Sequence, residues 1–189
     1  MSDSHRSSSI PFVLAITGLF CAAPAFAQSR EATEQAFDAV DRVLARKDLN
    51  NIPDYKDDRS TSEALIESFY NAINRGEFSR AFSYYSDGNQ PDFGTWIGGY
   101  ENTKAIKLVT GPAEGDPGAG VLYWHQPVAI EAETYDGKKE VFGGCYDISM
   151  AAPLNQEAPP FRPMSISSGL LKKSTKKLEE SVPESCMPD

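Results

Sequence analysis

Histidine is almost missing from this chain: there are two in 189 residues, His5 and His125. That scarcity removes most imidazole chemistry at once. A Ser-His-Asp hydrolase would have to use His125, and no Gly-x-Ser-x-Gly elbow accompanies it. Cysteine is also scarce, with three residues and no CxxC spacing. A dithiol redox role is therefore set aside, and no His/Cys cluster offers zinc a ligand set, so no metal and no cofactor is expected. Gly98-Gly99 and Gly143-Gly144 are the glycine pairs of interest, but neither carries a Walker or dinucleotide pattern. Basic excess is lacking as well. Eighteen Lys and Arg face 27 Asp and Glu, for a net charge of −9. That balance argues against non-specific nucleic-acid binding and gives no attraction to anionic lipid.

No apolar run is long enough for a comfortable membrane span. The longest stretch, Ile10 to about Ala23, follows a polar head (Met1–Ser9) and ends in Ala25-Phe26-Ala27. A polar head, an apolar middle and small residues at the end read as an export signal cleaved after Ala27. The alternatives are an uncleaved anchor and a lipoprotein at Cys21, the latter opposed by bulky Leu19 and Phe20 just before it. The expected location is periplasmic or secreted, with no stable membrane insertion after cleavage. Two cysteines then survive, Cys145 and Cys186. An even count in an exported chain points to one disulfide. It would close a loop of about 42 residues and contribute roughly 4 kcal/mol in the chain-entropy model. The competing reading is two unrelated thiols.

The remaining chain divides into a leading helix and linker (28–59), a main domain (60–175) and a polar tail (176–189). Residues 31–47 have helical spacing, with Ala36, Phe37, Val40, Val43 and Leu44 on one side. Ser60-Thr61-Ser62-Glu63 has the pattern of a capping box opening a second helix, and Gly76 is placed to end it. A third helix runs from Glu77 to about Asp87, tightly enough joined to make a hairpin. Residues 92–100 form a short helix or turn. Strands follow at about 103–110, 119–134, 138–150 and 162–172, with loops at 111–118 and 151–160. Pro127 within the second strand suggests an edge position or a bulge. Gly143-Gly144 suggests a bend or a close backbone approach. The basic pairs Lys172-Lys173 and Lys176-Lys177 are followed by Glu179-Glu180, which reads as a solvated, salt-bridged turn.

The hairpin at Tyr135-Asp136-Gly137 has two registers. A two-residue turn pairs Tyr135 with Lys138. A three-residue loop pairs Thr134 with Lys138, setting Ile130 opposite Phe142, Trp124 opposite Ile148 and Leu122 opposite Met150. One face is then continuously apolar, so burial favours the second register. Its other face carries His125 across from Asp147, with Cys145 ready to receive Cys186 from the tail.

The segments ALIESFYNAINRGEFSRAFSYYS and VLYWHQPVAIEA…YDGKKEVFGGCYDIS, within about residues 60–173, resemble the NTF2-like (SnoaL-like) superfamily. The resemblance implies an α+β cone: N-terminal helices packed on a curved antiparallel sheet of about four strands, with a cavity between them. The candidate lining is Phe69, Tyr85, Trp96, Tyr100, Trp124, Gln126 and Tyr146, which also reads as plain aromatic core. Isomerases of the family keep an acid base inside the cavity, and no Asp or Glu falls on the inner face of the hairpin here. Dehydratases use a His-Asp pair, for which His125 and Asp147 are the candidates. The leading expectation is a non-catalytic exported domain that binds a small apolar ligand or an envelope protein partner, with a homodimer as a further option. The alternative is a cavity enzyme of the isomerase or dehydratase type. Fold alone decides neither.

Overall fold

The computed structural model describes residues 25–48 and 50–187. The export-signal reading falls on Met1–Ala27, most of which lies outside the described residues. Its last three residues, Ala25 to Ala27, begin α1 (Ala25–Leu44). Among the described residues no helix is long and apolar enough to cross a membrane. α1 packs chiefly on α4 (Phe93–Gly98). Ala39 and Val43 are its buried contacts, whereas Phe37, expected on that side, is 67% exposed. The inward stripe is thus rotated toward Ala36 and Ala39, and the close approach to α4 is at Ala36, which lies against Gly94.

α2 (Ser62–Asn74) is capped one residue later than the sequence pattern suggests. Thr61 accepts the Ala64 N–H at 3.0 Å, and Glu63, outside the box, instead accepts from the Thr110 hydroxyl at 2.9 Å. Gly76 ends the helix with φ +76, while the Gly76 and Glu77 N–H groups return to the Ile73 and Ala72 carbonyls. Only glycine adopts that backbone without strain. α3 (Phe78–Phe82) is shorter than expected. Beyond it the chain leaves the helix to bridge the last strand: Ile166 N–H donates to the Tyr84 carbonyl and Ser86 N–H to the Ile166 carbonyl. The segment from Pro53 to Arg59 has no regular structure, yet it is fastened along α2. Ser68 exchanges hydrogen bonds with the Asp58 backbone, and Asn71 does the same with Asp54 and Lys56.

The strands are β1 (Thr103–Thr110), β2 (Glu114–Pro117), β3 (Val121–Thr134), β4 (Lys139–Ala151) and β5 (Ser165–Ser174), in a curved antiparallel sheet ordered β1-β3-β4-β5. β2, read as loop from sequence, extends the β1 edge by pairing with the start of β3. The sheet therefore has five strands rather than four. Pro127 lies in a central strand, neither at an edge nor in a bulge. Its carbonyl accepts the Gly111 N–H at 2.8 Å, where β1 gives way to β2. The missing proline donor falls at that break and leaves no ladder bond unmade.

The β3–β4 hairpin has the three-residue register. Thr134 N–H donates to the Lys138 carbonyl at 2.8 Å, Gly137 has φ +83, and Leu122, Trp124, Gln126 and Ile130 stand opposite Met150, Ile148, Tyr146 and Phe142. Val128, Tyr146, Ile148 and Ile166 are buried on this inner face beneath α2 and α3.

The outer face is less polar than its composition suggests, because the tail covers it. Cys145 and Cys186 form a disulfide with Cα atoms 5.9 Å apart. A 3-10 turn at Glu179–Ser181 lies over Gly143, where a Cβ would overlap the Ser181 carbonyl oxygen. Ala129, Gly143's cross-strand neighbour, and Pro127 are fully buried under this cover. The lysines beside the tail do not pair with Glu179 or Glu180; Lys173 pairs with Glu140 at 2.8 Å.

Candidate functional site

Three places could carry chemistry: the His125–Asp147 pair, the aromatic interior, and the seam where the end of α1 meets α2 and β1. The first is positioned by register. His125 Nδ1 lies 2.7 Å from one Asp147 oxygen, and the other accepts the Ser168 hydroxyl at 2.5 Å. Both carboxylate oxygens are therefore occupied. The pair stands on the outer sheet face, with the Asp147 side chain 51% exposed. Across β2, Glu114 faces His125 and accepts the Cys186 N–H at 3.0 Å. The Ser185 hydroxyl and this N–H hold the Glu114 carboxyl below its usual range. The histidine thus belongs to a polar patch beside the anchored tail. Among the described residues, no group of three or more His, Cys, Asp and Glu is arranged to hold a metal ion.

The interior brings together most of the lining read from sequence. Phe69 meets Tyr85 at 5.7 Å, Tyr146 at 6.0 Å and Trp96 at 6.3 Å between ring centroids, and Trp96 meets Tyr100 at 5.2 Å. Three of these contacts are edge-on, a preferred geometry of aromatic packing, and Phe69–Trp96 is tilted. Trp124 packs against the margin of this cluster. Gln126 is fully buried and already committed: it accepts from the Ser62 hydroxyl at 2.9 Å and donates to the Gly111 carbonyl at 2.7 Å. The hydroxyls of Tyr70 and Tyr146 bond each other at 2.7 Å, and burial raises both well above the ordinary phenol range. Among the described residues the buried polar side chains are Ser62, Ser68 and Gln126. None of these is a carboxylate that could act as an interior base.

The third place was not foreseen. A cleft of about 420 Å³ is lined by Arg46, Lys47, Asn74, Lys104, Ala105 and Tyr135, among others. A second, of about 320 Å³, shares Pro53 and Asn74 with it and runs between α2 and β1 past Tyr70. The helical C-terminus delivers Arg46 and Lys47. The hairpin loop delivers Tyr135, whose N–H donates to the Asn102 carbonyl at 3.3 Å. Arg46 sits 4.8 Å from the centroid of the Tyr135 ring, a cation–π contact. Lys47 donates to the Lys104 carbonyl at 3.1 Å, and burial pulls its amine down to about 8. The Tyr135 hydroxyl is out of contact with water and has no hydrogen-bond partner.

In sequence these residues carry no signal. An Arg-Lys at a helix end is the ordinary complement to the helix dipole, and a tyrosine beside Asp-Gly reads as part of a turn. Only the packing of α1 brings them within reach of residues more than fifty positions away.

No family model and no curated protein matches the sequence. Among solved structures, the chain is similar to the Kfla4162 protein from Kribbella flavida, at 16% identity and a TM-score of 0.45, over 64% of this chain and 93% of that one. That likeness is too distant to assign a family or an activity.

Proposed function

We propose that this chain is an exported, non-catalytic domain of the NTF2-like kind that binds a small ligand at the α1–α2–β1 seam. The observation that carries the reading is a cleft of about 420 Å³ in which, among the described residues, neither Arg46 nor Lys47 has a carboxylate partner. Charged groups set in a partly apolar cleft without counter-charge fit an orienting role toward a bound ligand. Helices laid against the apolar face of a curved antiparallel sheet support the NTF2-like assignment. The Cys145–Cys186 bridge supports an oxidising compartment. The tail across the outer face argues against a homodimer formed through that surface.

The enzyme reading, using His125 and Asp147, is disfavoured. The pair faces outward, both Asp147 oxygens are taken, and the interior tyrosines are held neutral. Replacing His125 with alanine is therefore expected to leave ligand retention unchanged.

Native mass spectrometry of the full chain, purified from the export compartment, tests the proposal. The expected result is a co-purifying small molecule that is lost when Ala105→Trp fills the cleft. A mass equal to the bare chain in repeated preparations, with no shift on Ala105→Trp, would sink it.

A further inference from the structure

Arg46, Lys47 and Lys104 gather on one side of a chain whose net charge is −9. Their partners are unevenly distributed. Lys104 is neutralised by Glu133 at 2.7 Å. Glu101 is paired with Arg42 at 3.2 Å, and its backbone carbonyl, rather than its carboxylate, takes one Arg46 N–H. Asp48, on the cleft wall, accepts the Asn50 N–H. Asn74 is used up on both sides by the Ile106 backbone. Among the described residues no carboxylate lies within ion-pair distance of Arg46 or Lys47. The cleft therefore presents a guanidinium and an ammonium that no carboxylate neutralises, with Asp48 elsewhere on its wall.

We propose that this cleft binds a small organic carboxylate, its two oxygens taken by Arg46 and Lys47, and its apolar body lying along Pro53, Ala105 and the stem of Lys47. The assignment rests on the ligand-binding reading above. The donor set selects the charge. Arginine offers a planar fork that fits carboxylate geometry, and the lysine ammonium adds a second positive charge beside it. Two uncompensated cations suit a monoanion. With Lys104 already paired and Asp48 on the wall, a phosphate dianion would be under-neutralised. Apolar walls reward an organic body over a bare inorganic ion.

Lys47 makes the site sensitive to pH. Its amine, lowered to about 8 by burial, discharges as pH rises past that value. Lys104 is held protonated above its ordinary value by Glu133, and Glu133 is held ionised below its own by Lys104. Burial raises the Tyr135 hydroxyl above the ordinary phenol range, so it keeps its proton. Arg46, Asp48 and Glu101 are the other charged groups about the cleft. Affinity for an anion should then fall above about pH 8 and stay flat in Lys47→Arg.

The test titrates the full-length oxidised protein with benzoate, benzyl alcohol and inorganic phosphate, followed by NMR at the Asn74, Ala105 and Tyr135 resonances. Benzoate is expected to shift these signals and to bind about tenfold tighter than benzyl alcohol. Arg46→Gln should weaken benzoate about fivefold, a loss of one charge-assisted contact, whereas Tyr135→Phe should leave binding unchanged, because its hydroxyl is shielded from the cleft. Benzyl alcohol binding as tightly as benzoate at the same resonances would overturn the anionic class and leave the ligand site standing. Phosphate binding more tightly than benzoate would overturn the organic carboxylate. If no probe moves these resonances, both the class and the site fall.

Discussion

The two ends of the described chain are held in opposite ways. The C-terminal segment is fastened covalently to the middle of the sheet, and its path is cut into β4 by a glycine. The N-terminal helix has no such bond. It rests on α4 through a few side chains, Ala39 and Val43 fully in and Val40 and Leu44 partly so. A segment with little apolar surface is kept in place by a cross-link, whereas one with an apolar stripe is kept by burial and a few polar contacts at its end. The cleft lined by Arg46 and Lys47 lies at the second kind of end. Low local stability is where binding regions are commonly drawn from.

Breaking the cross-link is expected to have the largest effect. Cys145→Ser with Cys186→Ser should remove about 4 kcal/mol of stability in the chain-entropy model, seen as a lowered midpoint in urea with the tail newly open to protease. Gly143→Val should cost about 2–3 kcal/mol, because its side chain displaces the Ser181 backbone. Oxidised and unfolded in the same urea series, this variant separates tail position from the covalent bond. If it matches the parent protein, the close approach at Gly143 is not required. At the other end Val43→Ala should cost about 1.5 kcal/mol, for two methyl groups at about 0.8 each. Amide exchange should then speed up in α1 and not in the tail. A loss as large as that of the cysteine pair would erase the contrast.

The subtlest test is pH, where the two ends should respond at opposite extremes. Glu114, lowered by its bonds to Ser185 and Cys186, favours the folded tail above its unfolded pKa, and that contribution disappears as acid protonates it. Lys47 is also lowered, but for an amine this means that the unfolded chain holds the extra proton between about 8 and 10.5. Stability should therefore rise with pH across that window and lose the slope in Lys47→Met. Exchange of the Cys186 amide at low pH and urea midpoints at pH 8 and 10 check the two signs.

Much of the sheet was legible in the sequence because alternation and burial fix register together. Once Ile130 and Tyr146 must share a face, the positions of His125, Asp147 and Cys145 follow. What local pattern did not contain was anything decided by a distant partner. Glu114–Pro117 becomes a strand only because β3 extends past the end of β1. Tyr84 leaves its helix because Ile166 offers backbone bonds. Phe37 faces outward because the small Ala36 is the residue set against Gly94 of α4. The cleft was unreadable for the same reason, since its lining residues come from a helix end, a strand and a hairpin loop. The His125–Asp147 pair was found from spacing, but its surroundings, which argue against catalysis, belong to the tail and to Ser168.

The bridge also changes how the molecule would carry load. A pull applied to its C-terminal end does not reach β5; it passes through Cys186 into Cys145, at the heart of the sheet. The chain between them, spanning a sequence separation of 41, is shielded from tension while the sulfurs stay joined. In a single-molecule stretching trace, adding a reductant should lengthen the final extension by about 140 Å, at about 3.4 Å for each freed residue. The oxidised domain would yield only when its central strands part.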